Sequence, residues 1–318
     1  LVNRLANEAA KSAGHVLNMC IRALDYCPPV DITFGEYLRA IISADLDIIK
    51  EDKWNYRLAF VEAFRRRGIY PQGIKSLSEE SLRFVSDPFV EDKTKELFNI
   101  IADFLKEYRN EVIYESNRQR IYEISQEYLG GSKTQKGLHG RLVFKFEDST
   151  EFEKLTGLVF TQNNWAQYGI RTASRHNVPS FRVQNLRLVS RTGPSGDQIN
   201  HIVFSLVQRA GVIVDGNNVT TYVPDDNIQA PKGGFEFWGG CTMIFDLDTL
   251  NLRYAIAKPL LDPDKLRIGI REINVSRVLQ QYRYQTEDGL LSLSEQSLYF
   301  GTGLKSYFNE PFAFLHTH

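Results

Sequence analysis

The sequence predicts an α+β protein, with helices in its first part and an antiparallel, strand-rich part after them. Three observations predict this. Apolar residues recur at three- and four-residue spacing through most of residues 1–130. Gly130-Gly131-Ser132-Lys133-Thr134-Gln135-Lys136-Gly137 then reads as a flexible linker. Past Gly137, apolar and polar residues alternate between turn clusters. The expected organisation is a helical part over 1–130, a linker over 131–137 and a strand-rich domain over 138–318. At 318 residues the chain is long enough for two domains, each with its own core.

The helical part is organised around residues 16–71. A helix is expected from Val16 to about Tyr26, with Leu17, Cys20 or Ile21, and Leu24 on one face. Pro28-Pro29 stop it, because proline lacks the N–H a helix needs and restricts the residue before it. Thr33-Phe34-Gly35-Glu36 fits a capping box. The helix it opens, Phe34 to about Ile49, is expected to bury Phe34, Leu38, Ile41, Ile42 and Ile49. A third helix, about Trp54 to Arg67, puts Leu58, Val61 and Phe64 on one stripe and stops at Gly68, a good residue to follow a helix.

Ser76 to Leu82 carries overlapping cap signals. Asp87-Pro88 is expected to open a long helix that continues through Phe89, Leu97, Ile100 or Ile101, Phe104, Leu105 and Tyr108. Another runs from about Ser116 to Leu129, with Ile121, Ile124 and Tyr128 on one face.

In the strand-rich part, Leu142, Phe144 and Phe146 alternate with Val143 and Lys145. An extended run starts at Phe181 and reaches Val189. Thr192 to Asp197 is a turn cluster, and Ile202 to Val207 a strand. The clearest hairpin is Thr242 to Lys258. There Met243, Phe245 and Leu247 face one way, Asp248-Thr249-Leu250-Asn251 turns, and Leu252, Tyr254 and Ile256 alternate. A sandwich, an open barrel and a meander all fit this pattern. Residues 276–285 suit a short helix with Val278 and Leu279 inward, and Glu310 to His318 a peripheral tail.

Composition narrows the function classes. Net charge is −1, so no global field favours nucleic acid. No run of 18 apolar residues occurs, so no membrane span is expected. Leu1 to Leu17 is amphipathic and carries Arg4, Glu8 and Lys11, unlike a signal peptide. The helical pattern is already under way at Leu1, Leu5 and Ala9 with no cap before it, so Leu1 is expected to be a boundary within a longer polypeptide. Three cysteines, Cys20, Cys27 and Cys241, cannot all pair within one chain. On one helix, Cys20 and Cys27 would stand roughly 10 Å apart, too far for a disulfide. Free core thiols in the cytoplasm are the expectation.

A family resemblance enters at Ile21-Arg22-Ala23-Leu24, Tyr26, Pro29, Phe34, Arg39-Ala40, Ala44-Asp45-Leu46, Ala63-Phe64 and Gly68. In this order they resemble the C-terminal helical subdomain of thermolysin-type (gluzincin) zinc metallopeptidases: an R-A-L helix, a Y-x-x-P connector, an F…R-A helix, an A-x-D-L ending and an A-F-x-x-x-G helix. The resemblance spans about 55 residues and consists mostly of packing residues. A gluzincin holds zinc with two histidines of H-E-x-x-H and a later glutamate. No H-E-x-x-H occurs in this chain, and the family's zinc ligands precede the matching segment.

His15, at the expected head of the first helix, lies too close to the R-A-L helix to be the family's late active-site histidine, and reads as a helix-start or surface residue. Asp45 falls on the apolar stripe of the second helix. It is expected to pair with Arg39 or Arg22, or to cap a neighbouring helix; orienting a zinc-binding helix is the alternative. Arg65-Arg66-Arg67 fan around a helix, with Arg57 one face away, so a solvated helix end is expected. Arg109, Arg118 and Arg120 read as ordinary helix surface. Gly131-Ser132-Lys133-Thr134 lacks phosphate-loop spacing. Asp246-Leu247-Asp248-Thr249 lacks the calcium-loop pattern and reads as a hairpin turn with Asp248 capping its amides. His139, His176 and His201 show no metal-ligand spacing, and Ser195 is a turn serine without G-x-S-x-G. Phe235, Phe237 and Trp238 read as core packing, with a peptide- or ligand-binding edge as the alternative.

Two functions are expected from this. The first is the C-terminal part of a gluzincin-like zinc peptidase, with residues 16–70 as scaffold and cleft wall and an upstream catalytic segment as partner. The second is a non-catalytic protein- or peptide-binding module on a degenerate peptidase scaffold. No catalytic, cofactor-binding or metal-binding residue is assigned within the chain. Zinc is expected only if H-E-x-x-H lies upstream. Nucleic acid and membrane are not expected partners.

Overall fold

The first helix is longer than the apolar pattern suggested and turns a different face inward. The computed structural model describes residues 1–85, 92–129, 150–160, 164–173, 178–193, 196, 198–225 and 229–285. Helix α1 is Val2–Ala23, continued by a 3-10 turn over Leu24–Tyr26. It buries Met19 and Ala23, and the turn buries Tyr26, whereas Leu17, Ile21 and Leu24 are exposed. The seam with α2 (Phe34–Ile48) is built on small residues: Ala23, Ala40 and Ala44 are all fully buried. Small side chains let two helices approach closely, which a search for large apolar residues misses.

The capping box forms as expected. Thr33 Oγ1 accepts from the Glu36 N–H, and the Glu36 carboxylate accepts from the Thr33 N–H at 2.9 Å. Helix α2 buries Leu38, Ile41 and Ile42, but Phe34 at its start is exposed and Ile48 replaces Ile49 as the buried isoleucine near its end. Helix α3 is Tyr56–Arg66. It ends in a Schellman motif: Ile69 N–H bonds Phe64 O, Gly68 N–H bonds Arg65 O, and Gly68 takes φ +68°. Its inner face carries Arg57 and Val61, while Leu58 is exposed and Trp54 lies outside the helix. Ser78 caps the short α4 (Glu79–Leu82). Leu38, Ile42, Val61 and Leu82 close the core between α2, α3 and α4.

Helices α5 (Asp92–Val112) and α6 (Arg118–Leu129) follow, with Phe104, Tyr108 and Tyr128 stacked edge to face. The opening of α5 at Asp87-Pro88, the linker over 131–137, the run Leu142 to Phe146 and the tail from Glu310 lie outside the described residues. Helix α7 (Thr150–Thr156) leads into the sheet.

One five-stranded antiparallel sheet forms the second part: β1 (Arg182–Thr192), β2 (Gln198–Asp215), β3 (Asn218–Tyr222), β4 (Gly234–Asp246) and β5 (Leu252–Lys258). The order is β1-β2-β4-β5, and β3 pairs the far end of β2, on the edge that β1 occupies nearer its start. Among the described residues the strands form one open sheet, which is neither sandwich nor barrel and departs from a simple meander because β3 folds back on β2 and β4 pairs β2 in turn. A bulge at Arg253 aligns Leu252 with Phe245 but Tyr254 with Ile244. Leu252 therefore packs on one face while Tyr254 and Ile256 pack on the other, so these three do not share a face. The hairpin turn is capped by Asp246 and not Asp248: Asp246 Oδ1 accepts from the N–H groups of Asp248 and Thr249.

Helices cover both faces of this sheet. On one, Phe204, Leu206, Phe237, Met243 and Phe245 pack against α5, α6, α7 and α9 (Val275–Gln285), whose Val278 is fully buried; the short α8 (Pro263–Arg267) precedes α9. On the other, Ile244, Tyr254 and Ile256 share a core with Met19, Ala23, Tyr26, Cys27, Ala40, Ile41 and Ala44 of α1 and α2. Ion pairs join this helical layer to the rest, among them two at the far end of the connector and the start of α2. Lys258 meets Glu36 at 2.7 Å, and Arg277 meets Asp31 at 2.7 Å.

Candidate functional site

The sheet face under α1 and α2 carries polar side chains where a covered face is expected to be apolar. Register places them in rows. Asn185, Ser205 and Thr242 lie side by side across β1, β2 and β4. Arg187, Val203, Ile244 and Tyr254 form the next row, and Val189, His201 and Asp246 the one after. A bulge between Val183 and Asn185 leaves Gln184 unpaired in the ladder, next to Asn185.

Above the first two rows runs the connector from Leu24 to Ile32. Between connector and sheet lies a cleft of about 340 Å³. Its connector wall is Leu24, Asp25, Cys27, Pro28, Pro29 and Ile32, and its sheet wall is Gln184, Asn185, Arg187, Val203, Ser205 and Thr242. Pro29 seats on Gly240, where a side chain would collide with its ring. Ser205 and Thr242 are nearly fully buried and share a hydrogen bond of 3.1 Å. Burying hydroxyls costs free energy unless they are paired. Cys27 Sγ donates to Ala23 O at 3.3 Å, and burial pushes its thiol up to about 12. It is therefore a protonated wall residue and not a nucleophile.

Charge gathers at one end of the cleft. Asp25 accepts from both Arg187 and Arg191. Arg191 is buried and lies over the Tyr26 ring, 5.3 Å from its centroid. Behind it, Asp47 accepts from Tyr26 Oη at 2.7 Å, Tyr254 Oη at 2.6 Å and Arg83 Nη2 at 3.4 Å. Burial, reinforced by the Asp47 carboxylate, pushes both phenols well above the ordinary tyrosine range. Burial holds the His201 imidazole below its ordinary value, with Arg191 and Arg253 adding to the effect and Asp47 and Asp246 opposing it. Both tyrosines are thus neutral donors, and the region is a hydrogen-bonded charge network.

The residues singled out from the sequence do not converge on this cleft. His15 is exposed in mid-helix, beside the Tyr56 ring at 5.5 Å. Asp45 is buried in an ion pair, but its partner is Arg57 at 2.9 Å and not Arg39 or Arg22. Arg57 also bonds Glu79 at 2.7 Å and Ile49 O, so it is a core residue and not part of a solvated basic end. Arg65 and Arg66 pair with Glu62 on the surface, as a solvated helix end should. Arg120 is likewise paired with Glu123 at the surface, and Arg109 donates to Leu247 O. Phe237 is fully buried and Phe235 packs on Tyr282 at 5.4 Å, so the aromatic cluster is core under α9. His139, His176, Ser195 and Gly131 to Thr134 lie outside the described residues.

Among the described residues no group of three or more His, Cys, Asp or Glu is placed to hold a metal ion. Nor is any described helix long and apolar enough to cross a membrane. Comparison with protein-family models, with curated proteins and with solved structures finds no match for this chain.

Proposed function

We propose that this chain is the C-terminal part of a gluzincin-like zinc peptidase, with residues 16–70 as scaffold and one wall of the substrate cleft. Zinc, its H-E-x-x-H and glutamate ligands and the metal-bound water would come from sequence preceding Leu1. The ordered series from Ile21 to Gly68 carries this reading. What supports it further is that several members of the series take up scaffold roles: Ala23, Tyr26, Ala40 and Ala44 are fully buried, and Gly68 closes α3, while Ile21, Leu24 and Phe34 are exposed. Three free thiols support a reducing, cytoplasmic setting. The test is the reading frame immediately upstream of Leu1, followed by metal analysis of the full polypeptide. An in-frame H-E-x-x-H, roughly one zinc per chain and chelator-sensitive peptidase activity are expected. A frame without that motif overturns the reading.

A second reading has its own observation, the cleft between the connector and the polar rows. It makes the chain a non-catalytic module that binds a peptide on a degenerate peptidase scaffold. It expects saturable peptide binding by calorimetry, with neither bound zinc nor hydrolysis.

A further inference from the structure

We infer that the cleft under the Leu24–Ile32 connector recognises the C-terminal carboxylate of a peptide, holding the last residue or two. This deepens the binding-module reading and rests on it.

Charge is the first argument. Two guanidinium groups, Arg187 and Arg191, share the single carboxylate of Asp25. Asp47 and Arg83, the next pair behind them, cancel one another. The cleft end therefore keeps one positive charge, which suits a monoanion. The Arg187 side chain is 47% exposed and lines the cleft, and only its Nη2 bonds Asp25. Its other N–H groups have no acceptor among the described residues, so part of the fork is open to a second carboxylate.

Unused donors are the second. Arg191 Nη1 is buried and has no hydrogen-bond partner among the described residues. Arg191 does not itself line the cleft, so its demand falls on Asp25, and Arg187, the guanidinium at the wall, is left short of the acceptor oxygens that a bound carboxylate would bring.

The remaining lining is the third. Gln184 and Asn185, set together by the bulge, offer amide donors and acceptors, and the Ser205–Thr242 hydroxyl pair keeps spare capacity for both. These fit a peptide N–H and C=O beside the carboxylate. Leu24, Pro28, Pro29, Ile32 and Val203 supply an apolar wall for one side chain. A volume of about 340 Å³ is at the small end for ligand sites, which limits the occupant to a chain end.

The test uses the full chain on two matched arrays of short peptides of varied sequence, one displaying free C-terminal carboxylates and the other carboxamides. Binding to the free-acid array alone is expected. It should weaken about 10- to 100-fold in Arg187→Gln. It should also weaken in Ile32→Trp, which blocks the cleft from an exposed position without touching a charge. Equal binding to both arrays overturns the carboxylate inference and leaves the binding-module reading standing. Binding to neither overturns both. Circular dichroism confirms that each variant is folded; should Arg187→Gln unfold, Ile32→Trp decides.

Discussion

Pro29 and Gly240 meet ring to backbone. A β-carbon at position 240 would stand 2.4 Å from Pro29 Cγ and 2.8 Å from Leu206 O. The first neighbour is a stiff ring and the second is backbone, so neither yields cheaply. Gly240→Ala is expected to cost about 1–3 kcal/mol by overpacking, measured by urea unfolding. It should also alter the cleft, because Pro29 forms part of its wall.

Asp47 of α2 is tied to the sheet through the Tyr254 phenol and to the turn after α1 through the Tyr26 phenol. Tyr254→Phe removes one hydrogen bond to a nearly buried carboxylate and keeps the ring that meets Tyr26 edge to face at 5.4 Å. The expected loss is about 1.5–3 kcal/mol. A double-mutant cycle with Tyr26→Phe should show coupling, since both hydroxyls serve the same acid.

Arg57 is buried among Asp45, Glu79 and Ile49 O. Removing one partner of a buried pair strands the other. Arg57→Met is expected to destabilise by about 3–5 kcal/mol, and adding Asp45→Leu should recover part of the loss. Unfolding curves of the two variants check both statements.

His201 gives a pH dependence of known sign. Its folded pKa lies below the ordinary value, so the unfolded chain takes up a proton first as pH falls. Its contribution is complete above the ordinary histidine range, near 6.5, and is lost as pH drops below it. Comparing urea midpoints near pH 7.5 and about pH 5, His201→Gln should lose less stability than the parent.

Thiol reactivity should separate the three cysteines. Burial pushes Cys27 and Cys241 up to about 12, while Cys20 is only half-buried. A thiol reagent at mildly alkaline pH should label Cys20 in the native protein, and all three after denaturation. Peptide mapping of the labelled sites checks this.

Local signals in the sequence were the most legible. The Thr33–Glu36 capping box, the Gly68 stop and the Thr242–Lys258 hairpin are each decided by a few adjacent residues, and each forms. The inward face of α1 was not legible. Its seam is alanine, and the leucines and isoleucine that dominate the periodicity point outward. Leu58 and Arg57 exchanged roles for a related reason. Arg57 is buried by acids that come from α2 and α4, and nothing within α3 announces them. The cleft was missed because it is assembled from a connector and three strands. Its one visible trace was a serine and a threonine inside otherwise apolar strands, at Ser205 and Thr242.

The bond between Tyr254 and Asp47 joins residues 207 positions apart. Chain synthesis at about 5–20 residues per second would separate their appearance by roughly 10–40 s. During that interval α1 and α2 have emerged, but the strands that cover Met19, Tyr26 and Ile41 have not. The α2 cap and the α2–α3–α4 core can close early, since the residues that build them lie within one short stretch of chain. The face meant for β4 and β5 stays open to solvent and to other chains. This half of the molecule is therefore where a nascent-chain chaperone would act, and where truncation before β5 would leave a sticky product.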